Sequence, residues 1–353
     1  MVSVAPDALL EGVASLDVNG SRFAGTNRVG LTVSANSPLG KGDSLTLSHL
    51  QTTTGGLDFT LLGYLLPVGA DGFKAGVNVS QVNYNLSDAD FPLGLEGDSD
   101  SISVFGLYPL VRSRNLNLFV LANHERKYFS DRLRLAATET RKVLTQNSFT
   151  LSGDFRDSLL GGAINTFELA YTDGEINYPQ GRPAGLDDAS LLRKTEWEYS
   201  RLQSLVPGRW LAYASLRGQA AGNNLDSSAQ CTLGGSQAVR AFAQGEGSGD
   251  NCQIYTTELR YVLPWKVLNR SREGLYVAAF YDQGRVRLRE DASARPTTFV
   301  NTQRLAGYGL ALNWEVFDLL TWQISLGWPL EGEPASDPKK QEPRIYSVFR
   351  YYF

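Results

Sequence analysis

Thr321-Trp322-Gln323-Ile324-Ser325-Leu326-Gly327-Trp328 is the stretch that decides the fold, because large apolar residues alternate in it with small or polar ones. Successive side chains of a β-strand point to opposite faces, so Trp322, Ile324, Leu326 and Trp328 share one face. Thr321, Gln323, Ser325 and Gly327 share the other. This pattern is typical of a strand that separates lipid from a water-filled lumen.

The same alternation recurs in two neighbouring segments. Tyr308, Leu310, Leu312 and Trp314 oppose Gly307, Gly309, Ala311 and Asn313. Leu275, Val277, Ala279 and Tyr281 oppose Tyr276, Ala278, Phe280, Asp282 and Gly284. The pattern therefore predicts that Asp282 faces the lumen.

Composition leaves one way to cross a membrane. The 353 residues include 35 glycines, and the mean hydropathy is -0.22. No apolar run reaches the roughly 18 residues that a spanning helix needs. A membrane protein of this kind must then be a closed barrel, since an open sheet would leave backbone groups unpaired in lipid. The net charge of -4 gives no reason to expect a nucleic-acid partner.

The fold class predicted is all-β, a transmembrane antiparallel β-barrel of about sixteen strands, an even count as in bacterial single-chain barrels. We place the strands near 11–18, 23–35, 44–53, 58–68, 73–86, 99–111, 115–127, 139–155, 161–177, 194–206, 209–222, 253–265, 273–288, 302–315, 320–330 and 344–353. Connections alternate between short and long, as periplasmic turns and extracellular loops do. Residues 11–353 are predicted to form the barrel domain.

One connection, between 230 and 261, is too long for a hairpin turn. Structureless segments beyond roughly 12 to 15 residues tend to be functional. This one mixes apolar Leu233, Val239 and Phe242 with Arg240, which favours burial over solvation. It leaves from the extracellular side by our count of turns, so we predict that it folds back into the lumen.

Two motifs resemble those of a known family. Val239-Arg240-Ala241-Phe242 in the loop and Phe280-Tyr281-Asp282-Gln283-Gly284 in a later strand are similar to the paired signatures of the two-partner secretion outer-membrane translocators, the TpsB family of filamentous-haemagglutinin and haemolysin exporters. The resemblance extends to 17–22, 25, 157–162, 219–220 and 224–225, and covers nearly the whole chain. Ala241 departs from it, because much of the superfamily has glycine there.

The resemblance implies an outer-membrane pore that translocates a large unfolded exoprotein, such as an adhesin, haemolysin or toxin, to the cell surface without ATP. Implied partners are that TpsA-type cargo, outer-membrane lipid and lipopolysaccharide, and the barrel-assembly machinery during biogenesis. No cofactor is implied. An assembly factor that inserts other barrels and a general diffusion porin remain open as alternatives.

The family's periplasmic POTRA modules and plug helix have no counterpart in this sequence. Residues 1–10 are predicted to be a residual linker from the missing POTRA region. The opening Met1-Val2-Ser3 lacks the basic start and apolar core of a signal peptide. We therefore expect the chain to be a mature fragment of a longer protein.

Arg240 and Asp282 are the residues most expected to carry function. A guanidinium can meet a carboxylate with two parallel hydrogen bonds, so this pair could anchor the loop. Phe242 and Phe280 are expected to be apolar neighbours of the pair. The alternative is that Arg240 is solvated and Asp282 lines an aqueous channel without meeting it. Glu258 and Arg260 are expected to line a wet wall.

Cysteines and the C-terminus supply two further predictions. Cys231 and Cys252 are the only cysteines and bracket the loop. In a compartment that oxidises thiols they are expected to form a disulfide, with two free thiols as the alternative. Phe349, Tyr351 and Phe353 share one face at the end of the chain. They resemble the C-terminal signal that barrel-assembly machinery recognises.

No catalytic or metal site is predicted. Gly42-Asp43-Ser44-Leu45 resembles the start of an esterase motif, but that chemistry needs a late histidine base, and the last histidine is His124. Zinc would lack ligands, because the chain has two cysteines and two histidines. The acidic segment 88–100 lacks the spacing of an EF-hand loop.

Overall fold

The structure is a computed structural model that describes residues 8–87, 94–181, 190–264, 266–269, 273–293, 295–333, 337 and 342–353. The strands are β1 (Leu10–Asp17), β2 (Arg28–Asn36), β3 (Ser44–Thr52), β4 (Leu57–Pro67), β5 (Lys74–Asn85), β6 (Leu95–Arg112), β7 (Leu116–Leu133), β8 (Thr138–Asp157), β9 (Ala163–Asn177), β10 (Leu191–Val206), β11 (Trp210–Ala221), β12 (Cys231–Thr232), β13 (Ser248–Gly249), β14 (Asn251–Val262), β15 (Glu273–Arg287), β16 (Thr302–Val316), β17 (Leu320–Glu331) and β18 (Arg344–Tyr352). Within these ranges no helix is long and apolar enough to cross a membrane.

Every strand except β12 and β13 belongs to one closed antiparallel barrel. This confirms the predicted fold class and leaves sixteen barrel strands, the eighteen strands less the two in the loop. Alternation separates the two faces as predicted. Tyr308 and Leu310 are 50% and 56% exposed on the outer face, whereas Asp282 is fully buried on the inner face.

The first and last strands close the barrel. Val13–Asp17 of β1 pair with Val348–Tyr352 of β18. Beyond the last pair, Gly12 and Phe353 exchange two backbone hydrogen bonds of 2.8 and 3.0 Å. The Phe353 ring lies directly over Gly12, where a Cβ would come within 2.3 Å of it. Tyr351 and Phe353 are 44% and 57% exposed, whereas Tyr346 and Val348 on the other face of β18 are buried, so Phe349, Tyr351 and Phe353 lie on the outer face at the closing seam.

Some strand ends differ from the prediction. The strand expected at 23–35 begins only at Arg28, because the preceding residues form a turn in which Gly25 has a φ of 113°. Strands β6 and β7 extend further than predicted, to Leu95 and Leu133. Hydrophobic alternation ends where a strand leaves the lipid, but backbone pairing continues beyond that point.

Two predicted segments are only partly described. Of the predicted linker 1–10, residues 1–7 lie outside the described residues, and Leu10 already pairs with Ala35 of β2. Of the acidic segment 88–100, residues 88–93 lie outside them, and residues 95–100 belong to β6.

Candidate functional site

The long loop between β11 and β14 is tied to the barrel wall at its root. Strands β12 and β13 pair Cys231 with Gly249 and Thr232 with Ser248. A disulfide joins Cys231 to Cys252 of β14 across 21 residues of sequence. Cross-links over loops of this length typically stabilise by about 3 kcal/mol. The ribbon and the disulfide therefore fix the root of the loop independently of the contacts that its interior makes.

Beyond the root, the loop buries its apolar residues against the lumen face of the wall. Leu233 and Val239 are fully buried, and Phe242 is 1% exposed. They cluster with wall residues Ile254, Val286 and Leu305 and with loop residues Ala238 and Ala241. Burying one large apolar side chain contributes about 1.5–3 kcal/mol. The loop is thus packed as a small core inside the barrel.

Arg240 lies at the centre of the loop's polar contacts. Its Nε donates to Asp282 Oδ2 at 2.8 Å, its Nη2 to Asp282 Oδ1 at 2.9 Å, and its backbone N–H to Oδ2 at 3.1 Å. Its guanidinium also lies 3.6 Å from the centre of the Phe280 ring. Of the two predicted aromatic neighbours, Phe280 stacks on the arginine, whereas Phe242 belongs to the apolar cluster.

A second carboxylate completes this site. Arg240 Nη1 donates to Glu258 Oε1 at 2.7 Å, and Arg260 Nε donates to Glu258 Oε2 at 2.8 Å. The expectation that Glu258 and Arg260 merely line a wet wall is therefore wrong. Glu258 pairs with Phe280 in register, two positions from the partner of Asp282, so its side chain reaches the same guanidinium. The alternation of β14 and β15 already places Glu258 and Asp282 on the same face, and this was the sequence signal for their shared contact with Arg240.

The site balances two positive and two negative side chains in a place with little water. Asp282 is fully buried and the Glu258 side chain is 8% exposed. Charges taken out of water are stable only when paired and hydrogen-bonded. Arg240 meets both carboxylates at once. The arrangement can therefore hold a loop in place, and it offers no nucleophile with a base.

Glycines of β15, β16 and β17 make room for the loop. A Cβ at Gly307 would come within 2.4 Å of Ala241 Cβ, and one at Gly327 within 2.8 Å of the Arg240 carbonyl oxygen. At Gly284 it would come within 2.9 Å of Leu233. We call Gly284, Gly307 and Gly327 the glycine seat. Sequence reasoning placed them on the inner face but did not identify the seat.

Gly307→Ala is expected to push the loop off its seat. The added methyl meets Ala241 Cβ, which cannot rotate away, and overpacking of this kind costs about 1–3 kcal/mol. Protease sensitivity of the loop should rise. Gly274→Ala of β15 is the matched control, because a Cβ there has nothing within 4 Å. Adding Ala241→Gly to Gly307→Ala should restore protection, and failure to do so would argue against the contact.

Tyr346 is a further contact that sequence reasoning missed. Its hydroxyl donates to the Phe242 carbonyl at 2.7 Å from β18. It lies in the last barrel strand, far from the loop in sequence, and no motif marks it. The loop therefore contacts the wall from β14 round to β18.

A second part of the loop, residues 222–230, covers neighbouring strands and is here called the cap. Leu225 is fully buried in a cluster with Leu144, Ile176 and Leu192. Lys142 Nζ on β8 donates to Asp226 Oδ1 at 2.7 Å. Because the cap follows β11, this contact spans β9 and β10, which lie between β8 and β11.

Asp250 joins the cap to the loop root and to the β15–β16 connection. Its carboxylate accepts hydrogen bonds from the Leu225 N–H at 3.2 Å, from Gln230 Nε2 at 2.8 Å and from the Glu290 N–H at 2.9 Å. The residue is fully buried. This one carboxylate thus ties two other segments, the cap and the β15–β16 connection, to the loop root.

The cap should loosen in acid. Burial opposes ionisation of Asp226, but Lys142 and the Ser228 hydroxyl and N–H outweigh it and hold the pKa of this carboxyl below its usual value. This stabilisation is present above the unfolded value of about 3.9 and is lost as pH falls through the lower folded-state pKa. The melting temperature of the wild type should exceed that of Asp226→Asn at neutral pH, and the gap should close below about pH 4. A gap unchanged down to pH 3 would contradict this.

Metal binding has no support in the part of the chain that the structure describes. It contains no group of three or more histidine, cysteine, aspartate or glutamate side chains placed to hold an ion.

Comparison with known proteins now adds to this geometry. The family model for "Haemolysin secretion/activation protein ShlB/FhaC/HecB" matches residues 1–314. The chain belongs to this family. The family consists of outer-membrane transporters, so the barrel is an outer-membrane barrel, in agreement with the predicted family and location.

Curated relatives of this family member include heme/hemopexin transporter proteins HuxB of Haemophilus influenzae. The protein of strain 86-028NP is 23% identical over 332 residues, which cover 93% of this chain and 58% of the relative. The protein of strain KW20 is 22% identical over the same shares. The chain thus spans a little over half the length of the curated relatives it matches.

Solved structures show the same fold. CdiB from Escherichia coli matches with a TM-score of 0.78 at 18% identity, covering 99% of this chain and 64% of that one. CdiB from Acinetobacter baumannii matches at 0.69 with 19% identity, covering 98% and 60%. BamA from Haemophilus ducreyi, lacking POTRA domains 1–3, matches at 0.67 with 14% identity, covering 98% and 70%. At these identities the likeness concerns the fold alone.

Proposed function

We propose that this chain is the barrel of an outer-membrane exporter that moves a large unfolded exoprotein from the periplasm to the cell surface without ATP. The observation that carries the proposal is the loop held inside the lumen by Arg240. A general diffusion porin need not have the paired motifs that contain Arg240 and Asp282. Family membership agrees with this function. The transporter has no catalytic step and needs no cofactor.

In this proposal Arg240 and Asp282 anchor the loop, and the two motifs around them shape the contact. Val239, Ala241 and Phe242 pack the loop against the wall, while Phe280 and Gly284 supply the ring and the space. Glu258 joins them as a second anchor. The anchor holds the loop in the conducting or gated state of the channel, so export requires it.

The proposed partners follow from the same function. The cargo is a secreted TpsA-type exoprotein, and the outer face contacts outer-membrane lipid and lipopolysaccharide. Phe349, Tyr351 and Phe353 are proposed as the signal read by barrel-assembly machinery. Residues 1–10 are proposed as the link to periplasmic POTRA modules. Cargo recognition would then lie largely in that periplasmic part.

Secretion by the full-length protein tests the proposal. The transporter is expressed together with a TpsA-type exoprotein, and the medium is examined for that exoprotein. We expect export that depends on the transporter. Uptake of small sugars without export would favour a general diffusion porin, and loss of other outer-membrane barrels on deletion would favour an assembly factor.

A further inference from the structure

The periplasmic turn between β8 and β9 exposes two leucines. Leu159 is 63% exposed and Leu160 is 79% exposed. Leu160 also has a φ of 51°, in the left-handed region where a side chain crowds the following carbonyl. The turn belongs to the stretch 157–162, which the loop and its anchor do not use. Two apolar side chains on a disfavoured backbone call for an explanation.

A set of polar side chains holds the turn in this conformation. Gln203 Nε2 donates to the carbonyl oxygens of Leu159 at 3.1 Å, Leu160 at 3.0 Å and Gly162 at 3.0 Å. Asp157 accepts the Leu159 N–H at 2.9 Å. The turn's backbone is therefore bound to β10 and shows its leucines outward.

Asp157 and Gln203, the two side chains that hold the turn, are here called the clamp, and an arginine fixes both of them. Arg201 donates to Asp157 through Nη1 at 2.6 Å and Nη2 at 3.1 Å, and to Gln203 Oε1 through Nη2 at 2.7 Å. Asn165, which is fully buried, donates to Asp157 at 2.8 Å. The polar groups satisfy one another, so this cluster does not depend on water.

The clamp lies on the outer face of the barrel. Arg201 and Gln203 alternate along β10 with lumen residues such as Glu198, which pairs with Arg217 of β11. In register, Arg201 is opposite Asn165 of β9. The turn is therefore folded back over the outside of the wall and not into the lumen.

We propose that the turn is a lipid anchor, in which Leu159 and Leu160 insert among the acyl chains of the periplasmic leaflet. The outward-facing residues of the same two strands include Leu169 of β9 and Leu205 of β10, which are 48% and 50% exposed. Lipid is the one apolar phase that bathes this face. Burial of the Leu160 side chain in the bilayer would then offset the cost of its left-handed backbone conformation.

Spin labelling in a bilayer tests the anchor. The full-length protein carrying Leu160→Cys, with its native disulfide kept oxidised, is labelled with a nitroxide in phospholipid vesicles. We expect collisions with oxygen, which concentrates in lipid, to exceed collisions with a water-soluble nickel chelate. Arg114→Cys, in the exposed turn between β6 and β7, is the control and should show the reverse order.

Two other outcomes would overturn the proposal. Nickel accessibility at 160 equal to that at 114 would place the turn in water. Shielding from both reagents would place it against protein. If the Leu160→Cys chain does not fold, Leu159→Cys gives the same test.

A change in the clamp separates positioning from mere exposure. Gln203→Met keeps the side-chain length but removes the donor to three carbonyls. In that background the nickel accessibility at 160 should rise towards the value at 114. The barrel should still fold, as shown by different migration of unheated and heated samples on SDS gels. An unchanged accessibility would show that Gln203 does not set the turn.

Discussion

Replacing Arg240 with alanine is expected to free the loop and abolish secretion. The change removes three side-chain hydrogen bonds and leaves the buried Asp282 carboxylate without its guanidinium. Removing one partner of a buried ion pair costs about 3–5 kcal/mol. Export of cargo and protease sensitivity of the loop are the two measurements. Both should change together.

Changes at the carboxylates should follow a defined order. Asp282→Asn should reduce export more than Glu258→Gln does. Asp282 holds Arg240 through both carboxylate oxygens and also accepts its backbone N–H. Arg240→Glu combined with Asp282→Arg should recover part of the export that either single change loses. No recovery would count against direct pairing. Arg285→Ala, an exposed arginine in the same strand, is the control and should export normally.

Removing the loop's interior is expected to raise the conductance of the barrel several-fold. Residues 233–247 can be replaced by Asn-Gly, because Thr232 and Ser248 are directly paired and a two-residue turn joins such a pair. The disulfide and the Asp250 contacts then stay in place. Single-channel recording in planar bilayers compares the shortened protein with the wild type. A larger and steadier current is expected.

A second shortened loop controls for general damage to the barrel. Residues 134–137 connect β7 and β8 beyond the lumen, and Leu135 is 75% exposed. Replacing them with the same Asn-Gly turn should leave the conductance unchanged. Equal conductance of the wild type and the 233–247 variant would remove the plugging role of the loop.

Much of the barrel could be predicted from sequence because lipid and lumen impose opposite demands on neighbouring residues. That rule holds in β15 to β17, where alternation placed Asp282 on the inner face. It fails at strand ends that leave the membrane. Arg132 of β7 pairs with Asp98 and Glu139 across the ladder, so polar residues continue a strand that hydropathy would end.

The candidate site was predictable only where a motif marked it. The contact between Arg240 and Asp282 could be predicted because the Val-Arg-Ala-Phe loop and the strand of Asp282 both resemble the paired motifs of the family. Glu258, Tyr346 and the glycine seat carry no motif, and their roles depend on which strands are adjacent and at what depth. The cap depends on Lys142, 84 residues before its partner Asp226. Such long-range pairing is set by barrel closure.

The short ribbon of β12 and β13 limits how far the loop can travel. With Thr232 and Ser248 held together, only the residues between them form a tether. A chain spans at most about 3.3–3.6 Å per residue, so Arg240 can move no more than about 26–29 Å from Thr232. A polypeptide in transit would therefore share the channel with a tethered loop whose displacement is limited to that distance.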